Sequence, residues 1–309
     1  MRTAFIETLL DLARKDDRVM LLTADLGFTV VERFAKEFPG RFVNVGVAEA
    51  NMMGVATGLA MDGWVPFVYS IATFASMRGY EQVRDGPVLH QLPVRIIGIG
   101  GGFAYGHAGI THFALEDYAI FRTLPGMTVI SPADPDQTRA AIQQTAALPG
   151  PVYFRIGKGG NPALPGLGGR FRLQAVERIG EGRDVLLLTT GQIATVAAEA
   201  AAALEKEGIR VTLGVAATLE PAPVESLAAL GREFPIAVTL EEHFVTGGLG
   251  SLAAEVFSSS GAGPRLLRLG VQEMTLGITG SAEFLRRRCG LSLDQIVDRI
   301  RTAVRGRSG

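Results

Sequence analysis

Short apolar runs alternate with helical stretches along this chain, and that alternation is what most limits its fold. Val19-Met20-Leu21-Leu22-Thr23, Phe42-Val43-Asn44-Val45, Val65-Pro66-Phe67-Val68-Tyr69, Val94-Arg95-Ile96-Ile97-Gly98, Thr128-Val129-Ile130-Ser131 and Val152-Tyr153-Phe154-Arg155-Ile156 are too short for helices and mostly apolar. Between them lie helical patterns over residues 3–15, 30–37, 48–61 and 74–89, and one starting near Pro135. A strand that is apolar on both faces needs cover on both sides, which calls for a mostly parallel sheet between helices. The pattern stops in Gly157-Lys158-Gly159-Gly160-Asn161-Pro162, a Gly/Pro/Asn text typical of a connection. It restarts with Asp184-Val185-Leu186-Leu187-Leu188-Thr189, an Ala-rich helix over 193–207, and strands near 210–214, 236–241 and 266–269. A helix from Ser251 and a terminal one from Ser292 complete it. The expectation is α/β, two doubly wound sheet domains, at 1–160 and 183–309 with a linker over 161–182.

Composition removes several classes of function. The 309 residues are 47% hydrophobic with a net charge of -1, and no basic run is interleaved with aromatics, so nucleic acid is not an expected partner. Cys289 is the single cysteine, which rules out a disulfide within the chain and disfavours a cysteine metal site. No secretory pattern opens the chain, and its apolar stretches fall short of the ~18–20 residues of a membrane span. A soluble protein of the reducing cytoplasm is expected.

The most informative segment runs Asn44-Val45-Gly46-Val47-Ala48-Glu49-Ala50-Asn51-Met52-Met53-Gly54, with Glu49 its only charge. A carboxyl among such neighbours holds its proton more tightly unless it has a partner; as a first-turn residue it would also simply favour the helix dipole. This run resembles the pyrimidine-binding domain of transketolases, with the pattern G-[IV]-x-E-x-x-M-x-x-x-x-x-G. The resemblance implies that Glu49 hydrogen-bonds a ring nitrogen of thiamine diphosphate's aminopyrimidine and promotes its imino tautomer. It gives Glu49 both a catalytic and a cofactor-binding role. Thr23-Ala24-Asp25-Leu26 is similar to the family's [SA]-A-D-L, which places Asp25 near the cofactor. Ser70-Ile71-Ala72-Thr73-Phe74-Ala75-Ser76-Met77-Arg78 resembles the stretch whose aromatics pack on the aminopyrimidine. Phe74 keeps one aromatic, while Ile71 and Met77 replace others and leave an apolar wall.

Gly106-His107-Ala108-Gly109-Ile110-Thr111-His112-Phe113 resembles G-E-D-G-x-T-H-Q, so His112 is implied as the histidine at the reacting end of the donor, a role that suits imidazole. His107-Ala108 replace the acidic pair, Gly100 stands for a substrate-contacting histidine and Phe113 for the glutamine. His107 is carried as a substrate-side residue, and the standard sugar phosphates are in question. The resemblance further implies phosphate contacts for Arg2, Thr29 and Arg155, the last in Gly150-Pro151-Val152-Tyr153-Phe154-Arg155. Each has a plainer reading: a surface ion pair for an arginine, a helix N-cap for Thr29. Thr239-Leu240-Glu241-Glu242-His243-Phe244-Val245-Thr246-Gly247-Gly248-Leu249-Gly250-Ser251 is close to the family's T-x-E-E-H-x-x-x-G-G-L-G-S, whose role there is structural and at the dimer interface. The tail Met274-Thr275-Leu276-Gly277-Ile278-Thr279-Gly280 matches only loosely.

No Gly-Asp-Gly occurs, the family's motif for Mg²⁺ and diphosphate. The resemblance therefore implies a separate N-terminal subunit that carries that site, most simply as α2β2. The function expected is two-carbon ketol transfer from a phosphorylated ketose to an aldehyde, with no metal ligand from this chain. The alternatives are the β-subunit of a thiamine-diphosphate 2-oxoacid dehydrogenase and a non-catalytic scaffold subunit. A nicotinamide dehydrogenase is the weakest: Gly248-Leu249-Gly250-Ser251-Leu252-Ala253 fits G-x-G-x-x-[GA], but six residues separate it from Glu241, too many for the tight turn.

Overall fold

A computed structural model describes residues 1–160, 162–261, 263–273 and 277–306. The first half contributes β1 (Val19–Thr23), β2 (Phe42–Asn44), β3 (Val65–Ile71), β4 (Arg95–Ile99), β5 (Thr128–Ile130) and β6 (Val152–Ile156). Its helices are α1 (Arg2–Ala13), α2 (Glu32–Glu37), α3 (Glu49–Met61), α4 (Tyr80–Val83), α5 (Asp117–Arg122) and α6 (Pro135–Thr145). The second half adds β7 (Glu177–Ile179), β8 (Val185–Thr189), α7 (Ala194–Lys206), β9 (Val211–Val215), β10 (Thr218–Glu220) and α8 (Val224–Glu233). It ends with β11 (Ile236–Phe244), α9 (Leu249–Ser259), β12 (Arg265–Val271), α10 (Ala282–Arg288) and α11 (Leu293–Arg305).

Two sheets result, with strand orders β10-β5-β6-β4-β3-β1-β2 and β12-β11-β8-β9-β7. All pairings are parallel except β10 with β5 and β7 with β9. The two-sheet α/β fold expected from the alternation is therefore found. Side-chain alternation shows why the strands have no polar face. Leu21, Phe67, Ile97 and Phe154 pack together on one side of the first sheet, with Phe5 and Leu9 of α1. Their neighbours Leu22, Val68, Ile96 and Tyr153 pack on the other side, with Met52, Met53 and Ala56 of α3. That second cluster also holds Leu186 and Leu188 of β8, so one apolar core runs through both halves.

Three features depart from the pattern read in the sequence. β7 and β10 are three-residue strands with no local apolar run to announce them; β10 lies in the second half of the chain yet pairs Thr218 with Ile130 in the first sheet. Residues 74–89 are not one helix but α4 between wide π turns at Phe74–Arg78 and Arg84–Val88. Pro87, which has no amide hydrogen to give, sits in the second turn. Within 161–182, Leu164, Leu167 and Phe171 are buried and β7 is paired. Met274, Thr275 and Leu276 of the loosely matched tail lie outside the described residues.

Candidate active site

Parallel strands deliver their following loops to one edge of a sheet, the usual place for a site in such folds. After β1 comes Asp25, after β2 the turn into Glu49, after β3 Phe74, after β4 the loop to His112, and after β6 Lys158. Asn44, which the sequence did not single out, ties the first two loops together. Its Oδ1 accepts from the amides of Asp25 and Gly46, each at 3.0 Å, and its Nδ2 donates to Asp25 Oδ1 at 3.0 Å. Asp25 itself is exposed with φ 53°, a left-handed conformation that asparagine and aspartate tolerate best among side-chain-bearing residues.

Glu49 is the first residue of α3, where the helix dipole favours an anion, and is only 3% exposed. The partner left open by the sequence is Arg78, whose Nη1 donates to both carboxylate oxygens at 3.0 and 3.2 Å. The same guanidinium lies 3.7 Å above the Phe74 ring. Phe74 meets His112 edge-on, with ring centroids 4.9 Å apart. His112 ends a short 3₁₀ turn, and its Nδ1 lies 3.0 Å from the Thr111 hydroxyl. Burial, and then the Arg78 charge, lower the proton affinity of His112 below that of a free imidazole. Glu49, Arg78, Phe74 and His112 thus form one contiguous group. Ile71 ends β3, and Met77 is exposed on the wide turn with its sulfur 3.6 Å from Thr73 Oγ1.

The residues expected at the far end of the substrate fall apart into four places. Arg2, at the start of α1, lines a cleft with Lys158, Gln192, Thr195 and Arg286. Lys158 Nζ stands 4.3 Å over the Tyr105 ring. Lys158 was hidden inside the Gly-rich connection, and its charge among glycines after β6 is the signal that marks it. Thr29 is exposed in the loop before α2, with φ 70° and its amide donating to Glu32 Oε1 at 2.7 Å; Val31, not Thr29, precedes the helix. His107 is exposed on the turn Gly106–Ala108.

Arg155 lies deep between the two halves of the chain. It is 5% exposed, its Nη2 donates to the carbonyls of Ala114 and Glu242 at 2.8 Å each, and its Nε lies 3.4 Å from Asp117 Oδ2. Its guanidinium stacks 4.2 Å over Tyr118. A Cβ on Gly101 would fall 1.6 Å from Nε, so the backbone closes directly over it. These contacts join the two halves of the chain, and Arg155 lines a small cavity there with Ser131, Thr190 and Gln192. Phe113 is likewise a core residue, edge-on to Phe103 at 5.2 Å.

The Thr239–Ser251 motif folds onto its own glutamates. Glu241 is fully buried and accepts from the amides of Leu249 and Gly250, each at 2.7 Å, and burial pushes its carboxyl up to about 7. Those amides open α9 and are the ones a dinucleotide would require, so the dehydrogenase reading loses its phosphate cradle. Glu242 accepts from the Phe103 amide at 2.7 Å and from Arg286 Nη2 at 2.6 Å. His243 stacks on Tyr118 with centroids 4.9 Å apart, its Nδ1 2.7 Å from the Phe244 carbonyl and its Nε2 3.4 Å from the Ala119 amide. Burial lowers its pKa to about 4. Among the described residues, no group of three or more His, Cys, Asp or Glu is placed to hold a metal. No helix there is long and apolar enough to cross a membrane.

Residues 1–162 match "Transketolase, pyrimidine binding domain" and residues 174–296 match "Transketolase, C-terminal domain". The chain is 38% identical to 6-deoxy-6-sulfo-D-fructose transketolase subunit SqwH of Clostridium sp. (strain MSTE9), over 96% of this chain and 92% of that protein. It is 34% identical to a subunit of the apulose-4-phosphate transketolase of Phocaeicola vulgatus, over 86% of each. The solved structure described as "Split gene transketolase, inactive beta4 tetramer" superposes with a TM-score of 0.89 at 36% identity, covering 98% of this chain and 97% of that one. The chain belongs to the transketolase family, on the side of its split, two-subunit members.

Proposed function

We propose that this chain is the pyrimidine-binding half of a two-component transketolase that moves a two-carbon ketol unit from an anionic ketose to an aldehyde. The observation that carries this reading is the contiguous group of Glu49, Arg78, Phe74 and His112, which sets a buried carboxylate, an aromatic ring and an imidazole side by side. A single acceptor among apolar walls suits a flat, hydrogen-bonding aminopyrimidine, so the residues present fit thiamine diphosphate. When bound, that cofactor supplies the nucleophilic carbon on which ketol transfer depends.

The places of this chain's own residues support the following roles. Glu49 Oε holds or shares a proton at the ring nitrogen; its position at 3% exposure keeps water from competing for that proton. Phe74, with Ile71 and Met77 at the rim, forms the wall against which the ring packs. Asp25, fixed by Asn44, borders the cofactor. His112 presents Nε2 to the substrate, because Thr111 engages Nδ1. Its lowered proton affinity keeps a neutral ring able to take a proton at physiological pH.

At the other end, Arg2, Lys158 and Arg286 hold the donor's terminal anion, a phosphate or a sulfonate, in place of the buried Arg155. Thr29 and His107 are assigned to the substrate side by the family resemblance. The sugars for which two relatives are named, apulose 4-phosphate and a sulfo-fructose, both carry such an anion. The diphosphate and Mg²⁺ ligands come from a separate N-terminal subunit, in a cytoplasmic α2β2 assembly. Residues 1–160 and 183–309 act as its two domains, with 161–182 between them. The test is to co-purify the partner and follow ketol transfer from phosphorylated and sulfonated ketoses. The wild-type complex should transfer the unit and Glu49→Gln should lose at least ~100-fold, the lower range for a lost acid–base group. Unchanged turnover in Glu49→Gln, or oxidative decarboxylation of a 2-oxoacid in place of transfer, would overturn it.

A further inference from the structure

Arg78 makes two contacts at once. Its Nη1 donates to both oxygens of the buried Glu49, and its guanidinium carbon lies over Phe74, 3.7 Å from the ring centroid. These are the two contacts that the proposed function reserves for the cofactor's ring, hydrogen bonding to Glu49 and packing against Phe74. The chemistry is matched as well: a guanidinium is a planar N–C–N cation that donates to a carboxylate and stacks on an aromatic face. An aminopyrimidine offers the same N–C–N edge and the same flatness. The wide turn Phe74–Arg78 puts stacking ring and guanidinium on one side of the chain.

We propose that Arg78 is a built-in surrogate for the aminopyrimidine, covering Glu49 and Phe74 until thiamine diphosphate displaces it. The idea rests on the function proposed above. Two planar groups cannot share one face of Phe74 and one pair of carboxylate oxygens, so the guanidinium has to leave when the ring enters. It is able to leave, since its side chain is 47% exposed, while Glu49 at 3% is fixed. The surrogate also has a physical reason to exist. A carboxylate buried without a partner is costly, and Arg78 neutralises it while no ring is bound. Cofactor affinity is then reduced by the fraction of molecules in which Arg78 stands aside.

The test is titration calorimetry of thiamine diphosphate with Mg²⁺ on the complex with the diphosphate-bearing subunit. It compares wild type, Arg78→Gln and Glu49→Gln. Arg78→Gln should bind ~10-fold tighter, the gain when a closed state of about nine molecules in ten is removed; a merely structural arginine would not produce tighter binding. A second readout needs no substitution: phenylglyoxal labelling of Arg78, followed by peptide mass spectrometry, should accelerate when cofactor is added to the wild-type complex. Equal or weaker binding in Arg78→Gln, or labelling that is slowed or unchanged, overturns the surrogate. Failure of the underlying function looks different: the wild-type complex would not bind the cofactor, or Glu49→Gln would bind it as well as wild type does.

Discussion

Replacing His243 by glutamine should reveal a stability term that acid removes. In the native chain the ring is fully buried, stacked on Tyr118, and held between the Phe244 carbonyl at Nδ1 and the Ala119 amide at Nε2. A second proton would have to sit on Nε2, facing an N–H that is already a donor. Burial accordingly lowers the pKa from 6.5 to about 4. For a depressed histidine, stability is present above the unfolded value and is lost as pH falls toward the folded one. At roughly 1.4 kcal/mol per unit, wild type should lose about 2 kcal/mol of this term between about pH 7.5 and pH 5. Near neutrality His243→Gln should be weaker by about 1–2 kcal/mol, for the lost stack and hydrogen bond. The assay is urea unfolding of both proteins at fixed protein concentration across that range. Taking the difference cancels most of the opposing contribution of Glu241, whose raised carboxyl favours the folded state in acid. The gap should shrink by about 2 kcal/mol on acidification. Glu241 Oε2 is 3.9 Å from Nδ1; if that carboxylate instead held the ring protonated, the gap would widen, and the reasoning would be refuted.

Three further outcomes are expected. Asp134 accepts from the Gln137 amide at the start of α6 and, through its other oxygen, from Leu164 at 2.8 Å, so Asp134→Ala should lower unfolding stability by about 2 kcal/mol; an unchanged urea midpoint would count against the cap. Lys158→Ala should raise KM for an anionic ketose by ~10–100-fold with little change for a neutral analogue, the range for one charged hydrogen bond; an equal effect on both would remove Lys158 from the anion cleft. Because the Arg78 charge helps hold the His112 pKa down, Arg78→Gln should raise the pH at which His112 titrates in the cofactor-free chain, followed by NMR of its imidazole; a shift to lower pH would contradict that arrangement.

The parts of the fold that were legible in the sequence are those with a period. Apolar runs of four or five residues appear where β1, β3, β4, β6 and β8 lie, because both faces of each strand carry core residues. β7 and β10 left no trace, since neither carries an apolar run and their pairings are made far along the chain. The helix pattern over 74–89 hid its wide turns, which depend on Gly79, Gly86 and Pro87 meeting α3: a Cβ on Gly86 would come 2.4 Å from Thr57 Oγ1. At the site, Glu49 and His112 were visible because each stands as a polar group amid apolar or glycine-rich text. The engagement of Glu49 by Arg78 was not visible, because 29 positions separate them and only the wide turn brings them together. The carbonyl partners of Arg155 were not visible either, because an arginine after a strand reads alike whether it faces a ligand or a neighbouring carbonyl.

The strand β10 has a consequence for anyone who cuts or recombines this gene. Thr218–Glu220 is the outermost strand of the sheet to which the earlier half belongs. A fragment ending near residue 160 would present the bare rim of Thr128–Ile130, a row of amides and carbonyls ready to recruit a foreign chain. Chimeras that exchange the halves between relatives would carry a seam staple from the wrong parent. They should be judged first by whether they stay dispersed, and only then by what they catalyse.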